Sequence, residues 1–176
     1  MEKTNKPYET IIDFVTGRPV PDIGAEANRQ ALERFLVDRK EFDKNDIEVD
    51  AELKLDIRGE SYRSRIDLII RIDGIRFMAV KCAAGSLGSR EREILSAARL
   101  LDSYQIPFSA VSDGKTATIL DTCSGKRIGE GLQAFPTRRE AVERLKAISL
   151  QPLSEERVER EKLIFRSYDS MNVNRS

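Results

Sequence analysis

The 176-residue chain has no histidine, no tryptophan, only two cysteines and no excess of either charge, with 30 Lys and Arg against 30 Asp and Glu. Without histidine, Ser-His-Asp and Cys-His catalysis, imidazole proton transfer and His-containing zinc sites are all excluded. Chemistry is left to carboxylates, Lys, Tyr, Ser, Thr, Cys or a bound metal. Cys82 and Cys123 form no Cys-x-x-Cys pair and no secretory segment is recognisable, which reads as reduced thiols in a cytoplasmic protein. No apolar run approaches the roughly 20 residues of a membrane helix, so no membrane partner is expected. Net neutrality argues against holding a polyanion by bulk charge alone.

What is present suffices for one folded domain, because a chain of this length buries roughly two-thirds of its unfolded surface. The charges are sorted along it. Positions 41–56 hold two Lys and seven acids, whereas 58–92 hold eight Lys or Arg and four acids. An anionic partner is therefore least repelled by the middle of the chain.

Positions 1–21 carry Pro7, Gly17, Pro19 and Pro21 and read as an irregular lead-in with room for a short helix around 11–15. Asp22 is a candidate N-cap for a helix to about residue 40, with Ile23, Ala27, Ala31, Leu32, Phe35 and Leu36 at helical spacing. Ile47, Val49, Ala51, Leu53, Leu55 and Ile57 alternate with polar residues, the period of a strand with one wet face. An apolar cluster at 66–72 runs through Asp73-Gly74, a hairpin signal, into a third strand at 75–81. A helix from about 90 to 104 is expected from Ile94, Ala97, Ala98 and Leu101, then a second hairpin across Asp113-Gly114. Thr137 and Glu140 have capping-box spacing and open a helix to about 148, and Ser154 is placed to cap a last helix through 155–165. That helix has a thin stripe of Val158, Leu163, Ile164 and Phe165 and calls for a partner surface, homodimerisation being one option.

The stretch richest in chemistry is Arg65-Ile66-Asp67-Leu68-Ile69, followed across the hairpin by Met78-Ala79-Val80-Lys81. An Asp on one strand and a Lys on the next resembles the PD-(D/E)xK nuclease superfamily. With Ala25-Glu26-Ala27-Asn28-Arg29-Gln30, Val80-Lys81-Cys82-Ala83-Ala84-Gly85 and Pro107-Phe108-Ser109-Ala110-Val111, positions 22–136 look like the N-terminal nuclease domain of type I restriction enzyme R subunits. The resemblance implies a restriction-endonuclease-like α/β core, a mixed and mostly antiparallel sheet flanked by helices, with 137–176 as a C-terminal helical extension. It also implies Asp67 and Glu26 as ligands of Mg²⁺ or Mn²⁺ and Lys81 as the group that positions the attacking water. Arg90, Arg92, Arg99 and Tyr104 become candidates for contact with DNA, and other restriction-type subunits become candidate partners.

The chemistry of such a site is plain. Phosphodiester hydrolysis needs a divalent cation to offset charge on the phosphate and an activated water, and carboxylates with a lysine supply the setting. The departure here is Ala79, where the resemblance expects an acid. Glu48, Asp50 or Glu52 on the neighbouring strand are candidates to replace it. Two readings follow: metal-dependent hydrolysis, weakened or lost, or a non-catalytic module of the same fold that binds DNA or a protein. Each residue also has an ordinary explanation, Asp67 as a surface ion pair, Lys81 as a solvated strand-end charge, Glu26 as an acid on a helix dipole and Cys82 as a small buried side chain. No Gly-x-x-x-x-Gly-Lys loop occurs, so this chain alone carries no motor.

Overall fold

The computed structural model describes residues 7–173; positions 1–6 of the lead-in and 174–176 of the extension lie outside the described residues. The lead-in is a small antiparallel hairpin, β1 (Thr10–Ile12) on β2 (Pro19–Pro21), where a short helix was expected. Asp13 makes the difference. Its buried carboxylate accepts hydrogen bonds from the backbone N–H and hydroxyl of Thr16 at 2.7 and 2.9 Å, closing a tight turn instead of a helical one.

Helix α1 (Glu26–Lys40) starts four residues after Asp22, with Ala25 at the N-cap and no side-chain cap. Gly24 in the left-handed region breaks the path from Asp22 into the helix. The expected stripe is buried only in part. Leu32 and Leu36 are fully buried, whereas Ile23, Ala27 and Ala31 are exposed, and the first half of the helix buries Arg29, Gln30 and Glu33 instead.

Six strands form the main sheet in the order β3 (Ile47–Ile57), β4 (Glu60–Ile72), β5 (Ile75–Cys82), β6 (Phe108–Ser112), β7 (Ala117–Asp121), β8 (Arg127–Glu130), parallel only between β5 and β6. Two-residue turns at Arg58-Gly59 and Asp73-Gly74, all four residues at positive φ, close the first two hairpins. That geometry matches the right-handed twist of the flanking strands. Gly114 serves another need: a Cβ there would lie 2.8 Å from the Asn28 carbonyl oxygen, so only glycine lets the β6–β7 turn pass under α1. The expected meander and second hairpin are present, and β8, a short exposed edge strand without alternation, adds to them.

Helices cover both faces. On one, α1 and α3 (Arg138–Ala147) pack on a cluster that includes Leu68, Ile70, Met78 and Val80. On the other, α2 (Glu91–Leu100) and α4 (Glu155–Val173) pack with Ala51, Leu53, Ile66, Ile69, Ala79 and Phe165. Helix α3 opens with the capping box, Thr137 accepting from the Glu140 N–H and Glu140 from the Thr137 N–H. Helix α2 ends before residue 104, since 101–104 turn away in bends toward Pro107.

The thin stripe of α4 finds its surface inside the chain. Phe165 is fully buried, and Glu161 accepts from the Arg99 guanidinium and the Ser96 hydroxyl, each at 2.8 Å. Buried polar anchors thus supply what few apolar residues do not, and residues after 136 complete the core of the domain. A substitution Glu161→Ala leaves the Arg99 guanidinium short of its acid in a buried site. We expect it to cost roughly 3–5 kcal/mol, read as a lower urea midpoint.

Candidate functional site

The geometry of the site is set by one irregularity. From the Asp73-Gly74 turn the β4–β5 pairs run Ile72 with Ile75 and Arg71 with Arg76, then slip to Ile70 with Met78, Ile69 with Ala79 and Leu68 with Val80. Phe77 is the extra residue of a β-bulge, and Phe77 and Met78 consequently both enter the α1-side core. The slip brings Lys81 into line with Asp67. Without it Val80 would stand there.

Asp67 lies where β3 and β4 part for one step: Val49 pairs with Leu68 and Ala51 with Ile66, leaving Asp50 and Asp67 between them. Asp50 adopts positive φ at that step. The freed Asp67 carboxylate turns toward β5, where one oxygen accepts from the Cys82 N–H at 2.7 Å and lies 3.8 Å from the Lys81 ammonium. On its other side the same ammonium is 3.4 Å from Glu93, a residue in the first turn of α2 that is only 3% exposed. Arg90, one turn earlier, approaches Glu93 to 3.8 Å.

Burial alone would lower the Lys81 pKa, but the Asp67 and Glu93 carboxylates outweigh it and leave it raised. Burial raises that of Glu93, against the pull of Lys81 and with help from Asp169. Asp169, near the end of α4, is held by the Tyr62 hydroxyl and, at 3.0 Å, by that of Ser64. The corner is therefore one ammonium flanked by two carboxylates, roofed by the last turns of α4.

Sequence reasoning did not select Glu93. Its signal was present, since position 93 lies four residues before Ala97 on the apolar stripe of α2, where a carboxylate demands a partner.

The other candidates are placed elsewhere. Glu26 spends its carboxylate on Arg29, at 2.6 Å, and Gln30, at 3.0 Å. No hydrogen bond or ion pair joins it to Asp67 or Lys81 among the described residues. Arg99 is buried against Glu161 and the Thr122 carbonyl oxygen, so it offers nothing to a ligand. Tyr104 clasps the backbone of Arg76, accepting from its N–H and donating to its carbonyl oxygen, near the opposite end of β5 from Lys81. Arg92 is exposed at the start of α2. Glu48, Asp50 and Glu52 do not replace a missing ligand: Glu48 binds Arg76 at 2.9 Å, Asp50 binds Arg29 at 3.0 Å, and Glu52 faces Lys54 and Arg63. Cys82 is buried and its thiol pushed well above the usual range by that burial, which fits an inert core residue.

Ala79 pairs with Ile69, shares the face of Lys81 two residues on, and is fully buried in the apolar layer under α2. The place where the resemblance expects an acid, diagonal to Asp67, thus holds a methyl group. Among the described residues no three His, Cys, Asp or Glu side chains are grouped to hold a metal ion. With Ala79 in the acid's place, the carboxylate set that would hold a divalent cation beside Asp67 is incomplete.

A family model described as type I restriction enzyme R protein N terminus matches residues 24–136. The chain belongs to this family. Neither the curated proteins nor the solved structures contain a match. As an R-protein N-terminus chain it has the restriction-endonuclease-like α/β fold, with the family match ending at Pro136, before α3 and α4. No helix among its described residues is long and apolar enough to cross a membrane.

Proposed function

We propose that this R-protein N-terminus chain binds nucleic acid without cutting it. The observation that carries the reading is fully buried Ala79, on the same face as Lys81 and diagonal to Asp67, where the resemblance calls for an acid. Hydrolysis of a phosphodiester needs carboxylates to hold a divalent cation and a positive group beside the water; Lys81 supplies the second, and Ala79 leaves the first short. The fold and its lysine are retained while a metal ligand is missing.

Binding is supported by cations left uncommitted at the same end of the sheet. Arg18 and Arg65 are exposed, have no ion pair among the described residues, and line, with buried Arg29 and the acids Asp13, Asp50 and Glu52, a cavity of about 380 Å³ beside the β3–β4 parting. Arg65 is two residues from Asp67. Two exposed guanidinium groups whose side chains make no ion pair suit the phosphates of a nucleic-acid backbone, where contacts set affinity and make it salt-dependent.

The test has two arms. Plasmid and single-stranded DNA incubated with the protein in Mg²⁺ or Mn²⁺ should remain intact; cleavage that disappears in Asp67→Ala would overturn the reading. Fluorescence anisotropy on labelled DNA should show affinity falling as salt rises. Replacing Arg18 and Arg65 by Ala should weaken binding to all sequences alike and flatten the logarithmic salt slope by roughly 1 per removed cation. No binding at low salt would favour a protein-binding module instead.

A further inference from the structure

We infer that the outer edge of β1 pairs with the same edge of a second copy of this chain, forming a twofold antiparallel dimer centred on Thr10. The inference goes beyond the proposed function and does not rest on it.

The lead-in sheet has only two strands among the described residues, so β1 and β2 each have a free side. The pairing tells which backbone groups of β1 lie there. The Asp22 N–H donates to the Glu9 carbonyl oxygen at 2.7 Å and the Asp13 N–H to that of Arg18 at 2.8 Å, so Glu9, Ile11 and Asp13 turn their backbone groups toward β2. Tyr8, Thr10 and Ile12 therefore turn theirs outward. Past them the edge closes, because the Phe14 N–H donates to the Gln30 side chain at 2.7 Å. On β2 the matching positions are Pro19 and Pro21, which have no N–H to offer and guard that side. β1 has neither proline nor charge, whereas β3, an outer strand of the main sheet, carries five charged residues.

The open edge is also self-complementary. Laid antiparallel on its own copy about Thr10, it sets Thr10 against Thr10 and Tyr8 against Ile12 at both ends, so the outward N–H and carbonyl groups of all three residues find partners. The register displaced by two residues would set Tyr8 against Phe14, whose N–H is already engaged. The three side chains share one face. Tyr8 and Ile12 are the most exposed large apolar side chains among the described residues, at 69% and 59%, and an aromatic against a β-branched residue is a favourable cross-strand pair. This alignment opposes no like charges, and a net charge of zero puts no bulk repulsion between copies. Residues 1–6 have Met1 as their one apolar side chain, and Phe165 of the α4 stripe is buried within the chain, so neither segment is suited to cover this face. The contact is small. A standard interface buries about 800 Å² per partner and five residues of edge fall short of it, so the dimer is reversible and half-formed on the order of 10–100 μM.

Sedimentation velocity of the full chain, without nucleic acid and from roughly 5 to 500 μM, should show a monomer converting to a dimer. Thr10→Pro, which gives β1 the guard that β2 has, and Ile12→Lys, which sets an ammonium against Tyr8, should each weaken association at least about tenfold. A covalent readout uses Thr10→Cys with Cys123→Ser: Cα atoms about 5.5 Å apart across the twofold lie within disulfide reach. Mild oxidation should join two chains reducibly and much faster than in wild type, where exposed Cys123 reports random collision. Thr10 is exposed, so this variant reads the edge even where Thr10→Pro disturbs the hairpin. The inference is overturned if wild type stays monomeric throughout, which would leave the edge to a strand of another protein. It is equally overturned by a dimer that both edge variants leave intact, or by Thr10→Cys cross-linking no faster than Cys123.

Discussion

Ala79→Glu is expected to destabilise the protein by roughly 3–5 kcal/mol. Ala79 is fully buried, pairs with Ile69 and is surrounded by the α2-side cluster of Ile69, Ile94 and Ala97. A glutamate there would add four heavy atoms beyond Cβ plus a charge to a filled apolar layer. The variant therefore either buries an unpaired acid or pushes α2 off the sheet. Urea denaturation should show the loss as a lower midpoint, with Tm falling by on the order of 10 °C. Ala84→Glu, at an exposed position past the end of β5, is the control and should stay within about 0.5 kcal/mol of wild type. A well-folded Ala79→Glu protein that binds Mn²⁺ would show instead that the layer under α2 can take the missing acid and that only this ligand separates the chain from a metal site.

The pairing of β4 with β5 shows where sequence stops informing. The strands themselves were legible, because 47–57 alternate strictly and 66–72 meets 75–81 across a two-residue turn whose residues both tolerate positive φ. So were the capping box at Thr137 and the start of α4. Register was not. An Asp-Gly turn predicts an uninterrupted ladder, and nothing in Ile75-Arg76-Phe77-Met78 announces that Phe77 will drop out of it. A slip of one residue changes which side chain confronts Asp67.

The same limit applied to α1. Apolar spacing predicted the buried face of its second half, but its first half is buried through charge, which periodicity counts as solvent-facing. Asp67 and Lys81 could be singled out because the family resemblance marks both and adjoining strands bring them to one region. Glu26, Arg99 and Tyr104 could not be placed, since each depended on which partner won its hydrogen bonds: Arg29, Glu161 and the Arg76 backbone, respectively. Edge strand β8 escaped for a simpler reason: four residues with one apolar side chain carry no period to read.

The charged interior of α1 gives the second large effect. Arg29 is 4% exposed and holds Glu26 at 2.6 Å, Asp50 at 3.0 Å, Asp13 at 3.4 Å and Glu33 at 3.9 Å, tying the lead-in turn, the helix and β3 at the β3–β4 parting. Burial opposes its charge, yet the Glu26 hydrogen bond and the Asp50 carboxylate leave its pKa raised. Glu33, fully buried, is pushed up to about 8, first by burial and then by Asp13, with Arg29 pulling the other way. Between pH 4.5 and about 8 the folded chain thus keeps a proton on Glu33 that the unfolded chain has lost, and stability falls as pH rises through that window. Burial would raise Asp13 as well, but hydrogen bonds from Thr16 and Gln30, with Arg29 nearby, hold it below the usual carboxylate range. Its contribution is present above pH 3.8 and lost as pH falls through its lowered folded pKa. Replacing Arg29 by Met removes the one cation these acids share. We expect a loss of roughly 3–5 kcal/mol at pH 8.5 and a distinctly smaller one at pH 5, where the acids can take up protons instead. Urea titrations at the two pH values measure this. Adding Glu33→Gln to Arg29→Met should recover part of the loss at pH 8.5, because a neutral amide no longer needs the missing guanidinium. A deficit equal at both pH values, or under 1 kcal/mol, would show that Arg29 fills space without holding charge.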